Sequence, residues 1–204
     1  MRLMAEDKNI KNQADVVLVQ KTLQSRDEFG RIIEKYKESL ERYIHRLARP
    51  SVDELDMLIQ DVFIKVYENL NDFDQKLSFS SWIYRIAHNE AIDFHRKRKK
   101  YGGSLDEPVS ENDTITLAET IIADGDFVTD IDRQYAKTHI MKVLDDLDPK
   151  YKSVLVLKFL EDKDYDEISD ILKKPPGTIA TLIHRAKREF RRFSADRGIN
   201  RTDL

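Results

Sequence analysis

Cysteine is absent from this chain of 204 residues, so neither a disulfide framework nor a thiolate metal site is available to it. Glycine and proline are scarce as well, at six and five, and no glycine-rich phosphate loop appears. The histidines, His45, His88, His95, His139 and His184, are scattered without carboxylate or hydroxyl partners at useful spacing. Enzymatic chemistry is therefore not expected, and no cofactor or metal is called for. No apolar run approaches membrane-spanning length. The start, Met1 to Asp7, lacks the apolar core of a signal peptide, so a soluble cytoplasmic protein is expected. Charged residues make up 36% of the chain, which with so few turn formers favours helices with heavily charged outer faces.

A net charge of -3 argues by itself against nucleic acid. The distribution argues the other way. From Tyr101 to Asp132 there is no lysine or arginine, while Asp106, Glu107, Glu111, Asp113, Glu119, Asp124, Asp126, Asp130 and Asp132 are acidic. Outside that segment the chain is net basic on both sides, so the molecule is polarised. The segment 101–132 reads as an acidic flexible linker between two helical domains, 1–100 and 133–204.

In the first part, residues 1–12 read as a frayed tail and 15–23 as a short helix. A longer helix starts at Arg26, with an apolar stripe from Phe29 to Leu47, and Pro50 ends it. From Leu55, the positions Leu58, Ile59, Val62, Phe63, Val66, Tyr67 and Leu70 repeat at three and four residues. The opposite face carries Glu54, Asp56, Gln60, Asp61, Lys65 and Glu68. The stretch Phe79 to Lys100 then sets Phe79, Ile83, Ile86, Ala87 and Phe94 on one helix face. Trp82, Arg85, His88, Asn89 and Arg96 lie on another, and the helix runs into five basic residues, Arg96 to Lys100. An apolar back, an amide-and-guanidinium front and a cationic tail can grip phosphates and stack bases. A solvated amphipathic helix with a basic end is the plainer reading.

In the second part, Asp148-Pro149 is a helix start with Asp as N-cap and Pro at N1. Asp164-x-x-Glu167 resembles a capping box. Pro175-Pro-Gly makes a turn, and a last helix runs from about Thr178 to Phe193. Ile179, Ile183, Ala186 and Phe190 face its core, and the outer face is cationic. This is a helix-turn-helix arrangement.

Three pieces in order carry a family resemblance: Gln60-Asp-Val-Phe63, Ser81-Trp-Ile-Tyr-Arg-Ile-Ala87, and Pro175-Pro-Gly-Thr-Ile179 with His184-Arg-Ala186. Together they resemble the bacterial sigma factors of the extracytoplasmic-function class, from about Ala14 to Phe193. The resemblance implies an all-α protein of two helical domains. Its function would be to bind core RNA polymerase, direct it to promoter DNA and assist DNA opening, with an anti-sigma factor as a further partner. It implies that Asp56, Gln60 and Asp61 dock on the polymerase, Met57 standing where the class has an acidic residue. It implies that Phe73, Asp74, Lys76, Ser80, Trp82, Arg85, Asn89, Arg96 and Arg98 read and melt the minus-ten element. Trp82 is followed by Ile83 where primary sigma factors carry a second tryptophan, which implies weaker melting. Whether Trp82 is a core residue or a base contact stays open. For the minus-thirty-five element the resemblance implies Thr178, Thr181, His184, Arg185 and Arg188, with Ala180 and Leu182 departing from basic residues common in the class. The acidic segment is either a plain spacer or, in the family reading, a strand threaded through the polymerase. A free-standing helix-turn-helix regulator would leave the first hundred residues without a job. A sigma mimic that only titrates an anti-sigma factor would leave the basic run and the basic last helix unexplained.

Overall fold

The computed structural model describes residues 2–75, 77–101 and 140–196, with side chains described over 12–75, 77–100 and 140–195. Two compact units are present, and all regular structure among the described residues is helical. The acidic segment and Lys76 lie outside the described residues.

The first unit holds α1 (Arg2–Gln24), α2 (Phe29–Ala48), α3 (Val52–Glu68) and α4 (Phe79–Tyr101). α1 corrects the expected tail: one helix runs from Arg2 through the segment read as a separate short helix. A 3-10 turn, Arg26–Glu28, leads into α2 where a continuous helix was expected from Arg26. α2 is strongly amphipathic and buries Ile32, Tyr36, Leu40, Tyr43, Ile44 and Leu47. It ends on Arg49 in the left-handed region (φ 47, ψ 58), just before Pro50, which cannot continue a helix. α3 opens with a complete capping box: the Glu54 amide donates to the Ser51 hydroxyl, and the Ser51 amide to the Glu54 carboxylate. Two orphan donors of the first turn are thus satisfied. α2, α3 and α4 pack on one another, and α1 crosses α2 and α4.

α4 buries Phe79, Ile83, Ala87 and Ala91, a strict four-residue stripe. Ile86 and Phe94, expected on that face, are half-buried instead. α4 packs against both α2 and α3, and its buried positions are not confined to the apolar stripe. Ser81, Trp82 and Tyr84 are buried as well.

The second unit holds α5 (described over 140–146), α6 (Pro149–Leu155), α7 (Tyr165–Leu172) and α8 (Pro176–Asp196). Asp148 caps α6 by accepting from the Lys150 amide, with Pro149 at N1, as the dipeptide predicts. α6 then loosens into one π-helical turn, Val156–Leu160, closed by the Glu161 amide on the Val156 carbonyl. Both halves of the capping box at Asp164 and Glu167 are formed. α8 begins at Pro176, two residues before the expected start, because a proline at N1 loses no helical hydrogen bond. It also runs past Phe193 to Asp196. Val154, Leu155, Ile168, Ile179, Ile183 and Phe190 close the core. Phe159 is half-buried, with the Lys187 ammonium 4.7 Å above its ring.

Candidate nucleic-acid and protein-docking surfaces

The loop between α3 and α4 is anchored at both ends by aromatic rings. After a 3-10 turn at Leu70–Asp72, Phe73 drives its ring inward, 5.2 Å from Phe79 edge to face and 5.4 Å from Trp82. Phe79 and Trp82 stack at 5.6 Å, and Tyr36 of α2 meets Phe79 edge-on at 5.6 Å. Such offset and edge contacts are the favoured geometries for ring pairs. Between the anchors a turn closes from the Leu77 amide to the Asp74 carbonyl at 2.9 Å, leaving Asp74, Gln75 and Leu77 exposed.

This packing bears on Phe73, expected to meet the minus-ten element, and on Trp82, for which core and base contact were both open. Phe73 is 6% exposed and Trp82 9%, so in this conformation neither ring offers a face on which a base can stack. The indole fills the corner under the loop. Asp74, Asn89 and Arg96 are exposed and Ser80 and Arg85 partly so, which brings a set of polar groups to the loop and the front of α4. Arg96 pairs with Asp93 at 3.1 Å on its own helix. Arg98 departs from the expectation in another way. It turns back and donates to the Arg49 carbonyl at 2.9 Å, with the Glu54 carboxylate 3.9 Å away. The middle of the basic run thus caps α2 and joins it to the first turn of α3 and the end of α4.

His88, expected on the front, is turned inward and shares a 2.9 Å hydrogen bond between its Nδ1 and the Tyr43 hydroxyl. Burial lowers its pKa to about 4, so the ring is neutral at pH 7.

The outer face of α3 exposes Asp53, Asp56, Gln60, Asp61 and Glu68 together with Val52, Met57 and Ile64. Asp56 and Gln60, four residues apart, share one side of the helix, and Asp61 follows Gln60 round its exposed surface. The other two polar residues expected there serve the fold. Glu54 completes the capping box, and Lys65 pairs with Glu90 of α4, a hydrogen bond that raises the lysine's pKa.

On α8 the residues Thr178, Thr181, His184, Arg185 and Arg188 are all exposed, and their spacing sets them along one face. The Thr181 hydroxyl donates to the Gly177 carbonyl, which fixes its rotamer. Ala180 is exposed on the same helix and Leu182 half-buried. Sequence reasoning missed Lys150 at the start of α6. Its ammonium is close enough to Arg185 for the two charges to oppose each other, and Asp148 at 2.9 Å offsets that repulsion. A basic residue two positions after an Asp-Pro cap carries no sequence signal for this proximity. Among the described residues no cluster of His, Asp and Glu could hold a metal ion, and no helix is long and apolar enough to cross a membrane.

Two family models match the chain: Sigma-70 region 2 over residues 32–101 and Sigma-70, region 4 over residues 138–190. The ECF RNA polymerase sigma factor SigW of Bacillus subtilis is 36% identical over 177 residues, covering 83% of this chain and 90% of the relative. The ECF RNA polymerase sigma-E factor of Escherichia coli K12 is 27% identical over 191 residues, with 85% and 90% covered. Among solved structures, CnrH in complex with the cytosolic domain of CnrY aligns with a TM-score of 0.66 at 18% identity, covering 90% of this chain and 98% of that one. RpoE in complex with the anti-sigma factor NepR from Bartonella quintana aligns at 0.60 and 18%, over 81% and 96%. At that identity the structural likeness speaks for the fold.

Proposed function

The chain belongs to the extracytoplasmic-function class of sigma-70 factors, and from that membership we propose how its surfaces divide the work of promoter recognition. As a sigma factor it binds core RNA polymerase and directs promoter-specific initiation, a recognition task that involves no catalysis of its own. The exposed side of α3 with Asp56, Gln60 and Asp61 docks on the polymerase, with Met57 and Ile64 adding apolar area. The loop 72–78 and the front of α4 read the minus-ten strand through Asp74, Lys76, Ser80, Arg85 and Asn89, with Arg96 on phosphates. Trp82 and Phe73 support the loop from beneath. α8 reads the minus-thirty-five element in duplex form through Thr178, Thr181, His184, Arg185 and Arg188. The work is done in the cytoplasm by two domains, 1–100 and 133–204, with the acidic segment 101–132 linking them.

One observation carries this division. Asp72, Asp74 and Gln75 of the loop stand exposed while both flanking aromatics are locked inside, which suits a loop that must hold one shape against single-stranded bases. The solved RpoE relative was captured with the anti-sigma factor NepR, and a protein of that kind is proposed as this chain's inhibitory partner.

Selection from a promoter library randomised at both elements tests the scheme. Exchanging residues 72–78 for the loop of another class member should change the minus-ten sequence that is opened and leave upstream preference alone. Arg185→Ala should do the reverse, at a cost of about 1–3 kcal/mol if it contacts a base edge. Asp61→Arg should weaken assembly with core enzyme while helicity stays intact. A loop exchange that leaves the minus-ten preference unchanged sinks the assignment of the loop.

A further inference from the structure

Asp15 lies in α1, a helix to which none of the surfaces above gives a task. Its carboxylate is buried, at 3% exposure, and both of its oxygens are bound by α2. The Lys35 ammonium donates to Oδ1 at 2.6 Å and the Tyr36 hydroxyl to Oδ2 at 2.7 Å. A carboxylate taken out of water is tolerated only with partners of this kind. Burial, and next the Asp15 charge, push the Tyr36 phenol far above its usual pKa, so it stays a donor. The same phenol is hydrogen-bonded with the Ser80 side chain, and its ring rests on Phe79. A second tie is at the surface, where the Gln20 amide donates to Gln75 Oε1 at 2.8 Å. One buried link and one exposed link therefore run from α1 to the same loop, meeting it at Gln75 and at Phe79 and Ser80 just beyond it.

We propose that α1 positions the minus-ten-reading loop and that Asp15 is the positioning residue. This rests on the loop assignment made above. Ring contacts hold the ends of the loop together but are weakly directional. The Tyr36–Asp15 hydrogen bond is directional, and it fixes the angle at which the aromatic cluster, and the loop clamped by it, face the DNA. Reading a base requires donors and acceptors held to within about 0.5 Å. Fixing the cluster from α1 supplies that constraint from outside the DNA-contacting surface.

The test uses holoenzyme made with the full chain. Promoter opening is compared on the preferred minus-ten sequence and on one with a single altered base, and the ratio of the two is read. Asp15→Asn and Tyr36→Phe should each shrink that ratio by about fivefold, the lower end of what one base contact discriminates. Gln20→Ala should shrink it less, in the same direction. Core affinity and upstream occupancy should hold. A purely structural Asp15 would lower the melting temperature and slow opening on both promoters alike, leaving the ratio where it was. An unmoved ratio in all three variants, while the 72–78 exchange still shifts the preferred sequence, overturns the positioning role and leaves the loop assignment standing. If the exchange itself changes nothing, the loop assignment falls and this inference falls with it. Should Asp15→Asn fail to fold, Gln20→Ala at the exposed contact decides, and an unmoved ratio there overturns the proposal.

Discussion

Replacing Trp82 with alanine separates packing from DNA contact at the residue where the two compete. The indole is 9% exposed and wedged between Phe73 and Phe79 at 5.4 and 5.6 Å. Truncating a buried aromatic to alanine costs about 3–5 kcal/mol, the lost transfer energy plus the cavity left behind. The indole keeps 9% of its surface exposed and so loses less than a fully enclosed ring, and the lower end, about 3 kcal/mol, is expected. For a unit of this size that is a fall in melting temperature on the order of 12 °C or more. Because Trp82 is the single tryptophan of the chain, its fluorescence in the native protein follows the first unit alone. Circular dichroism then follows the variant, in urea and without DNA or polymerase. Trp82→Phe should lose less, since a ring still meets Phe79. If the alanine variant keeps the native urea midpoint while promoter opening is abolished, the indole is a wedge for DNA and the packing argument is wrong.

Two further outcomes follow from buried polar contacts. His88 has its pKa lowered to about 4 by burial, so between that value and the unfolded pKa near 6.5 the unfolded chain binds the extra proton. Stability from this group is complete above about pH 6.5 and declines as pH falls toward 4, by about 3 kcal/mol in all; His88→Phe should remove that slope in denaturation series across pH. Arg98→Ala should destabilise the first unit by about 1–2 kcal/mol, the lower range for a hydrogen bond from a charged donor, because the side chain is partly exposed. Arg96→Ala, whose guanidinium is mostly in solvent, should leave the urea midpoint unmoved.

Helix periods and caps were readable because they are local. Asp148-Pro149 and Asp164-x-x-Glu167 specify their caps within four residues, and both form. Ser51-x-x-Glu54 carries the same signal, and it places the start of α3 at Val52 where the hydrophobic repeat alone suggests Leu55. The inward turn of Trp82 and His88 was not readable, since it depends on how many neighbours surround α4 and not on α4 itself. The contact made by Arg98 was not readable for a related reason. Its acceptor is a backbone carbonyl at a left-handed residue 49 positions earlier, and a carbonyl has no sequence signature. Asp15 carries no signal of its own in the sequence, because Lys35 and Tyr36 meet it only once α1 lies across α2.

The Arg98 contact also bears on how the protein meets an ionic medium. A cation that neutralises a phosphate displaces condensed counterions, and on single strands each such contact steepens the fall of log affinity with log salt by about 0.7. Arg98 is already committed to the Arg49 carbonyl, so one of the five basic residues from Arg96 to Lys100 contributes no displaced ion. On the proposed assignment of this run to the melted strand, binding is therefore less sensitive to ionic strength than a count of lysines and arginines implies.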